Sequence, residues 1–218
     1  MEKTNLKQTT CTRLIDELLR EKLIRESGVA ESSGGRRPMM YDLNSTLYFS
    51  VGIDISRTFI NVLLLDVHLN VIETERLSIH KESTPKSAIK FLHHAIEQML
   101  NKHKIDENQF VGIGIGSVEP IDRESGIIKD PLYFPNDQWK DVKIVDALKA
   151  KWDTTVILDS GINSAVLAEY QKGYHAMVGN MSYIIAGMGL RISVINDHRL
   201  LKSLIIIVCD LETIPTIS

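Results

Sequence analysis

The feature that most restricts this chain is a run of three strand-like segments closed by a long helix. Tyr48–Ile55, Thr58–Asp66 and Val71–Ile79 are rich in Val, Ile and Leu and are joined by tight polar connections such as Asp66–Asn70. A helix is expected from about Pro85 to Lys102, because Ile89, Leu92, Ile96 and Met99 fall 3, 4 and 3 residues apart on one face. Pro85 suits its first turn, where a missing N–H costs nothing. Phe110–Ile115 reads as a buried strand bounded by Gly112, Gly114 and Gly116. A loop with Pro120, Pro131 and Pro135 then leads to a helix near Val142–Lys151 and a strand at Thr155–Leu158. A helix at Ile162–Gln171 is expected to end with Gly173 as its C-cap. Two further strands, Met181–Ala186 and Leu190–Ile195, start a new run. The order βββαβαβα followed by more strands predicts an α/β lobe and the beginning of a second one.

Composition agrees with a folded chain. Of 218 residues 44% are hydrophobic and 24% charged, which argues against wholesale disorder. The two cysteines, Cys11 and Cys209, form neither a disulfide framework nor a thiolate cluster for a metal. Met1–Arg13 has no apolar segment of the signal-peptide kind, and the longest apolar run, Leu204–Cys209, is far too short to span a membrane. These features predict a cytoplasmic chain with no membrane partner. The net charge of −3 is unevenly spread. Residues 1–40 carry eight basic and six acidic side chains, so a mildly basic head precedes an acidic body, a weak pointer to nucleic acid at the N-terminus.

In that head, Leu6, Cys11, Leu14, Ile15, Leu18, Leu19 and Leu23 form an apolar stripe near helical period, opposite Gln8, Thr9, Thr12, Arg13, Asp16 and Arg20. Two extended segments follow, Leu23–Glu26 and Met39–Leu43, separated by a polar, Gly-rich stretch ending Gly34-Gly35-Arg36-Arg37-Pro38. A helix followed by such a hairpin is the outline of a winged-helix DNA reader. The helix would enter the major groove with Gln8, Thr9, Thr10, Thr12 and Arg13, and the hairpin tip would place Arg36 and Arg37 in the minor groove. An amphipathic helix followed by a flexible linker fits the same spacing.

The string Thr12-Arg13-Leu14-Ile15-Asp16-Glu17-Leu18, then Leu23-Ile24-Arg25-Glu26, then Glu31-Ser32-Ser33-Gly34-Gly35-Arg36-Arg37-Pro38, resembles the ROK family (repressors, uncharacterised frames and sugar kinases), its xylose and N-acetylglucosamine repressors in particular. The resemblance covers roughly residues 5–203. It implies a recognition helix, wing and linker over 1–44, a first actin-like (RNase H-like) ATPase lobe of the sugar-kinase type over 45–175, and the start of a second lobe with an atypical tail over 176–218. It also implies a homodimer, operator DNA as partner, with binding expected to be weak or lost in a chain without the supporting helices, and a sugar as effector. Against the family's pattern, the supporting helices of the helix-turn-helix do not precede Leu6, and the sequence after Ser203 lacks ROK character. On the resemblance, the chain is expected to be truncated at both ends.

The family's catalytic features are altered. Its first phosphate turn, Asp-x-Gly-Gly-Thr, corresponds here to Asp54-Ile55-Ser56-Arg57-Thr58, with Ser56 and Arg57 in the glycine positions. Its second, Gly-x-Gly-x-Gly, corresponds to Gly187-Met188-Gly189-Leu190-Arg191, where Gly187 and Gly189 serve equally well to close a hairpin. Phosphoryl transfer to a sugar needs a carboxylate to take the hydroxyl proton. In the family this is the Asp of an Asn-Asp-x-Asn segment, and alignment on Asn163 places Gly161 there, with Ser160 before it. Asp159 lies two residues earlier, at a strand end, and is no obvious substitute. The body is therefore expected to be non-catalytic and to need no cofactor; a ROK-type kinase is the alternative. The resemblance implies sugar contacts by Asn163, which could otherwise cap its helix, and by Ser117 and Glu119 in the loop Gly114–Pro120. No metal is expected, because the family's Cys-rich zinc segment has no counterpart; His93, His94 and His175 read as solvated surface or isolated side chains.

Overall fold

The computed structural model describes residues 6–29, 37–175, 177–187 and 190–201. Of the sequence expectations, Arg36, Gly189 and the atypical tail after Ser203 lie outside these residues.

The head begins with helix α1, Gln8–Arg20. Its C-terminus closes with Lys22 in the left-handed region (φ 59°) and two backbone bonds, Lys22 N–H to Leu19 O (3.0 Å) and Leu23 N–H to Leu18 O (2.9 Å). This arrangement satisfies the carbonyls that a helix end leaves free. Strands β1 (Ile24–Val29) and β2 (Met39–Leu43) then pair antiparallel, Ile24 opposite Leu43 and Val29 opposite Met39, with a bulge between Glu26 and Gly28. The helix buries none of its residues, and Leu14 and Leu18 remain 38% and 36% exposed. The stripe legible in the sequence is present but shallowly covered: Cys11, Ile15 and Leu19 are half-buried and none of the helix is fully buried.

The body is built on a five-stranded sheet. Strands β3 (Phe49–Ile55), β4 (Phe59–Asp66) and β5 (Val71–Ser78) form an antiparallel meander. Strand β6 (Phe110–Ser117) lies parallel to β3, and β9 (Thr155–Ser160) parallel to β6, giving the order β5-β4-β3-β6-β9. Between β6 and β9 come a small hairpin, β7 (Ile121–Asp122) with β8 (Ile127–Ile128), and helix α3 (Ile144–Lys149). Helix α2, Pro85–Lys102, has Pro85 in its first turn and is capped by Thr84, whose hydroxyl accepts from Ser87 N–H at 3.2 Å. It lays Ala88, Leu92, Ala95, Ile96, Met99 and Leu100 into the core beside Val51, Ile53, Val62 and Leu64. Trp139 closes that core with its indole N–H on Ser83 O at 2.9 Å.

Helix α4, Gly161–Glu169, runs into a π-helical turn at Tyr170–Tyr174. Strands β10 (Met181–Ala186), β11 (Leu190–Asn196) and β12 (Arg199–Leu200) form a second, antiparallel sheet joined to α4 through Val166, Tyr170 and Ile195.

Three expectations need correction. Gly173 lies inside the π turn rather than capping the helix, because the backbone continues helically through Tyr174. Asn163 is not an N-cap: Ser160 holds that position and Asn163 sits buried in the first turn. His93 is not solvated surface, since it packs half-buried against Trp152 with centroids 6.4 Å apart, and burial lowers its pKa; His94 does face solvent.

Candidate sugar site at the strand ends

Strand register brings the site together. Asp54 on β3, Gly116 on β6 and Asp159 on β9 are successive partners in one row across the sheet, and the next row holds Ile55, Ser117 and Ser160. All stand at the C-terminal ends of parallel strands, where open α/β sheets take their ligands. Helix α4 starts directly above this edge. A Cβ at Gly116 would lie 3.1 Å from Ser164 Oγ and 3.3 Å from Gly161 Cα, so the glycine permits the close approach of helix to sheet. A side chain at Gly161 would start 3.6 Å from Ser117 O and 3.9 Å from Asp54 Oδ1, beside the carboxylate of the first turn.

Asp159 is the centre of a polar network. Its Oδ1 accepts from Arg123 Nε (2.7 Å), Asn163 Nδ2 (2.9 Å) and Ser160 N–H (2.6 Å). Burial pushes this carboxyl up, but the Arg123 guanidinium, the Asn163 amide and the Ser160 N–H outweigh it and hold the pKa below the usual carboxylate range. Arg123 also donates to Glu119 Oε1 at 3.0 Å. Burial alone would lower the Arg123 pKa, yet its two carboxylates raise it. Asn163 accepts from Ser193 Oγ on β11 at 2.7 Å, so the second sheet reaches directly into the site. Ser117, Ser160, Asn163 and Ser193 are all buried.

The turn after β3 is closed by its own side chain. Ser56 Oγ accepts from Phe59 N–H (3.1 Å) and Thr58 N–H (3.3 Å) and donates to Phe59 O (3.0 Å), which occupies the N–H groups a phosphate would use. Arg57 turns away, its Nε on Leu132 O at 2.7 Å and its guanidinium 5.9 Å from the Tyr133 ring. Burial, then Arg191, lowers the Arg57 pKa. Burial raises that of Asp54, against the pull of Arg191 and Arg76. Gly187 follows β10 in a hairpin whose last pair is Ala186 with Leu190.

Of the predicted sugar contacts, Asn163 and Glu119 share one network, while Ser117 lies buried in the row below. The sequence reading missed Arg123 and Ser193 and set Asp159 aside. Only the four-residue spacing of Glu119 and Arg123 hinted at a pair, and nothing in the sequence linked either to Asp159. The predicted DNA-facing residues Gln8, Thr9, Thr12 and Arg13 are exposed on the first half of α1, with Thr10 half-buried, and Arg37 is exposed before β2. Among the described residues, no group of three His, Cys, Asp or Glu side chains is placed to hold a metal ion, and no helix is long and apolar enough to cross a membrane.

The family model described as "ROK family" matches residues 50–203. The chain is 29% identical over 198 residues to the xylose repressor of Caldicellulosiruptor bescii, covering 91% of this chain and 49% of that protein. It spans about half the length of the curated relatives it matches. Among solved structures, a ROK family transcriptional regulator homologous to the E. coli MLC protein superposes with a TM-score of 0.70 at 19% identity, over 99% of this chain and 54% of that one. A ROK glucokinase from Streptomyces griseus, in complex with glucose and AMPPNP, gives 0.59 at 20% identity, over 78% and 51%. The mixed-sheet α/β fold is thus the actin-like fold shared by ROK regulators and ROK sugar kinases. With that family's model matching well over half of its residues, the chain belongs to the ROK family.

Proposed function

We propose that this chain acts as a sugar-responsive transcriptional repressor of carbohydrate use, of the xylose-repressor kind, and does not phosphorylate sugars. The observation that carries the reading is that its similarity to a protein named xylose repressor runs through head and body alike, over 91% of the chain. Asn163, Glu119 and Ser117 take the sugar at the strand ends, and a sugar bound there shifts the balance between DNA-competent and DNA-released forms. Residues 1–44 act as a partial winged-helix reader, with 45–175 as the first lobe and 176–218 entering the second. Helix α1 offers Gln8, Thr9, Thr10, Thr12 and Arg13 to operator DNA, and the hairpin adds Arg36 and Arg37. The active form is a homodimer in the cytoplasm, since paired half-sites need paired readers.

The absence of kinase activity rests on Gly161 in the base position and on the Ser56-closed turn. Asp159 is a poor replacement, because its proton affinity is lowered within the Arg123 network. The kinase alternative draws on the fold shared with the glucokinase. Sugar-dependent ADP release by the purified chain, with xylose or glucose and ATP, separates the two. No release above the enzyme-free blank is expected, and clear turnover overturns the repressor reading. DNA binding by the chain is expected to be salt-dependent, because phosphate contacts dominate such binding. Replacing Arg36 and Arg37 together with Ala should remove most of it; unchanged affinity in a filter or anisotropy assay would make the hairpin a linker.

A further inference from the structure

We infer that the turn between β4 and β5 is a relay coupling the sugar-site helix α4 to the DNA-reading head, with Lys172 as its input and His68 as its output. The inference rests on the sugar-site reading above and adds to it the route by which a sugar acts on the head.

The input is α4 itself. Asn163 near its start is 8% exposed, and both ends of its amide are taken, by Asp159 Oδ1 on β9 at 2.9 Å and by Ser193 Oγ on β11 at 2.7 Å. A ligand reaches Asn163 only by opening one of these bonds, which shifts α4 against one of the two sheets it joins. The backbone continues helically from Gly161 through the π turn to Tyr174, so the shift is carried to the far end. There Lys172 Nζ donates to Leu69 O at 2.9 Å.

The turn that receives this bond is tied into one piece. Asp66 Oδ1 accepts from His68 N–H (2.9 Å) and Asn70 N–H (2.8 Å), and Oδ2 accepts from Asn70 Nδ2 (3.1 Å). Leu69 N–H closes onto Asp66 O at 3.0 Å. Leu69 is held at φ 59°, a conformation that a branched side chain disfavours. A turn so bonded has little freedom to absorb a pull on the Leu69 carbonyl, and the pull passes to the adjoining His68.

His68 is the output. Its Nε2 donates to Leu43 O at 3.3 Å and lies 3.6 Å from Asp42 Oδ2, both on β2 of the head. Among the described residues, His68 is the body side chain that bonds to this hairpin. The residue after Leu43 carries the link onward: Asn44 donates its N–H to Leu23 O and its Nδ2 to Lys22 O, both at 3.0 Å. Lys22 and Leu23 close the end of α1, the helix that holds the candidate DNA contacts. With the relay connected, the head is fixed against the lobe. A sugar that shifts α4 draws Lys172 off Leu69 and frees His68 and the head. A small displacement suffices, because such bonds are made or broken rather than stretched.

The test is amide exchange by NMR on the 218-residue chain, with xylose and glucose as probes. In the unmodified chain, saturating sugar should speed exchange at Leu23 and Asn44 about fivefold or more, the low end of ordinary coupling between sites. Lys172→Met should speed the same two amides without sugar and leave no further response to it. Because coupling is reciprocal, that variant should also bind the sugar about fivefold or more tightly by titration calorimetry. His68→Leu should free the head in the same way, and adding it to Lys172→Met should change nothing more, as two links in series require. Lys172→Arg and His68→Gln keep a donor and should restore part of the coupling, a recovery that lost packing does not give. A sugar that changes exchange in α4 and leaves Leu23 and Asn44 unmoved overturns the relay and leaves the sugar site standing. So does a Lys172→Met chain, folded by circular dichroism, that keeps the full response. Failure of xylose and glucose to change any amide overturns both.

Discussion

Helices α1 and α2 carry similar apolar stripes and meet opposite fates. Helix α2 puts six residues into the core and starts at a Thr84 cap, whereas α1 buries none and starts at Lys7 with no side-chain cap. The end of α1 is nonetheless well formed, closed by Lys22 and Leu23. A helix stop is local, made by backbone bonds within a few residues. The stability of a helix comes from what its stripe meets. The head therefore has helix geometry without the burial that stabilises the body.

The sharpest way to break this contrast is truncation on each helix. Leu92→Ala, at a fully buried position, should cost about 2–5 kcal/mol in urea unfolding. Leu14→Ala on α1 should cost below about 0.5 kcal/mol on the same transition. A cost at Leu14 close to that at Leu92 would mean the head is packed in solution. Cap removal sharpens the comparison on a smaller scale. Thr84→Ala should destabilise by about 1 kcal/mol, while Lys7→Ser should raise the helicity of α1 without moving the midpoint of the main transition. Removal of one bond between the two sheets comes next: Ser193→Ala deletes the donor to buried Asn163 and should cost about 1 kcal/mol, read again by unfolding.

The smallest effects are in pH dependence and contrast two carboxylates in one sheet row. Asp159 has a folded pKa below its unfolded value of about 3.9, so its contribution is complete above that pH and is lost as pH falls through the folded pKa. Asp159→Asn should flatten the acid limb of stability below about pH 4. Asp54 has a raised folded pKa, so its contribution is complete below the unfolded value and is lost as pH rises through the folded one. Asp54→Asn should then stabilise the chain slightly at neutral pH, measured as a rise in melting temperature. A fall there would mean that Arg191 and Arg76 outweigh the burial of Asp54.

The elements themselves were legible in the sequence. Strand-like segments between tight polar connections placed β3, β4 and β5, and the 3, 4, 3 apolar spacing placed α2, to within a residue or so, since the helical spacing is the direct imprint of which face is buried. The strand at Phe110–Ile115 was legible as well, and the resemblance to a family offered Asn163 and Glu119 as candidate sugar contacts, which the structure joins through Asp159 and Arg123. Other features had no local signature. Gly173 looked like a helix stop, yet packing of Tyr170 against the second sheet carries the backbone on as a π turn. Asp159 looked like the polar end of a strand, and Arg123 and Ser193 like ordinary loop and strand polar residues. Their meeting depends on a parallel register that sets β9 beside β6, a short hairpin that turns Arg123 back over the sheet, and a second sheet that lowers Ser193 onto Asn163. Periodicity records each residue's burial along its own element. Contacts between residues 36 and 30 positions apart, Arg123 with Asp159 and Asn163 with Ser193, exist only once those elements pack, so tertiary structure alone decided them.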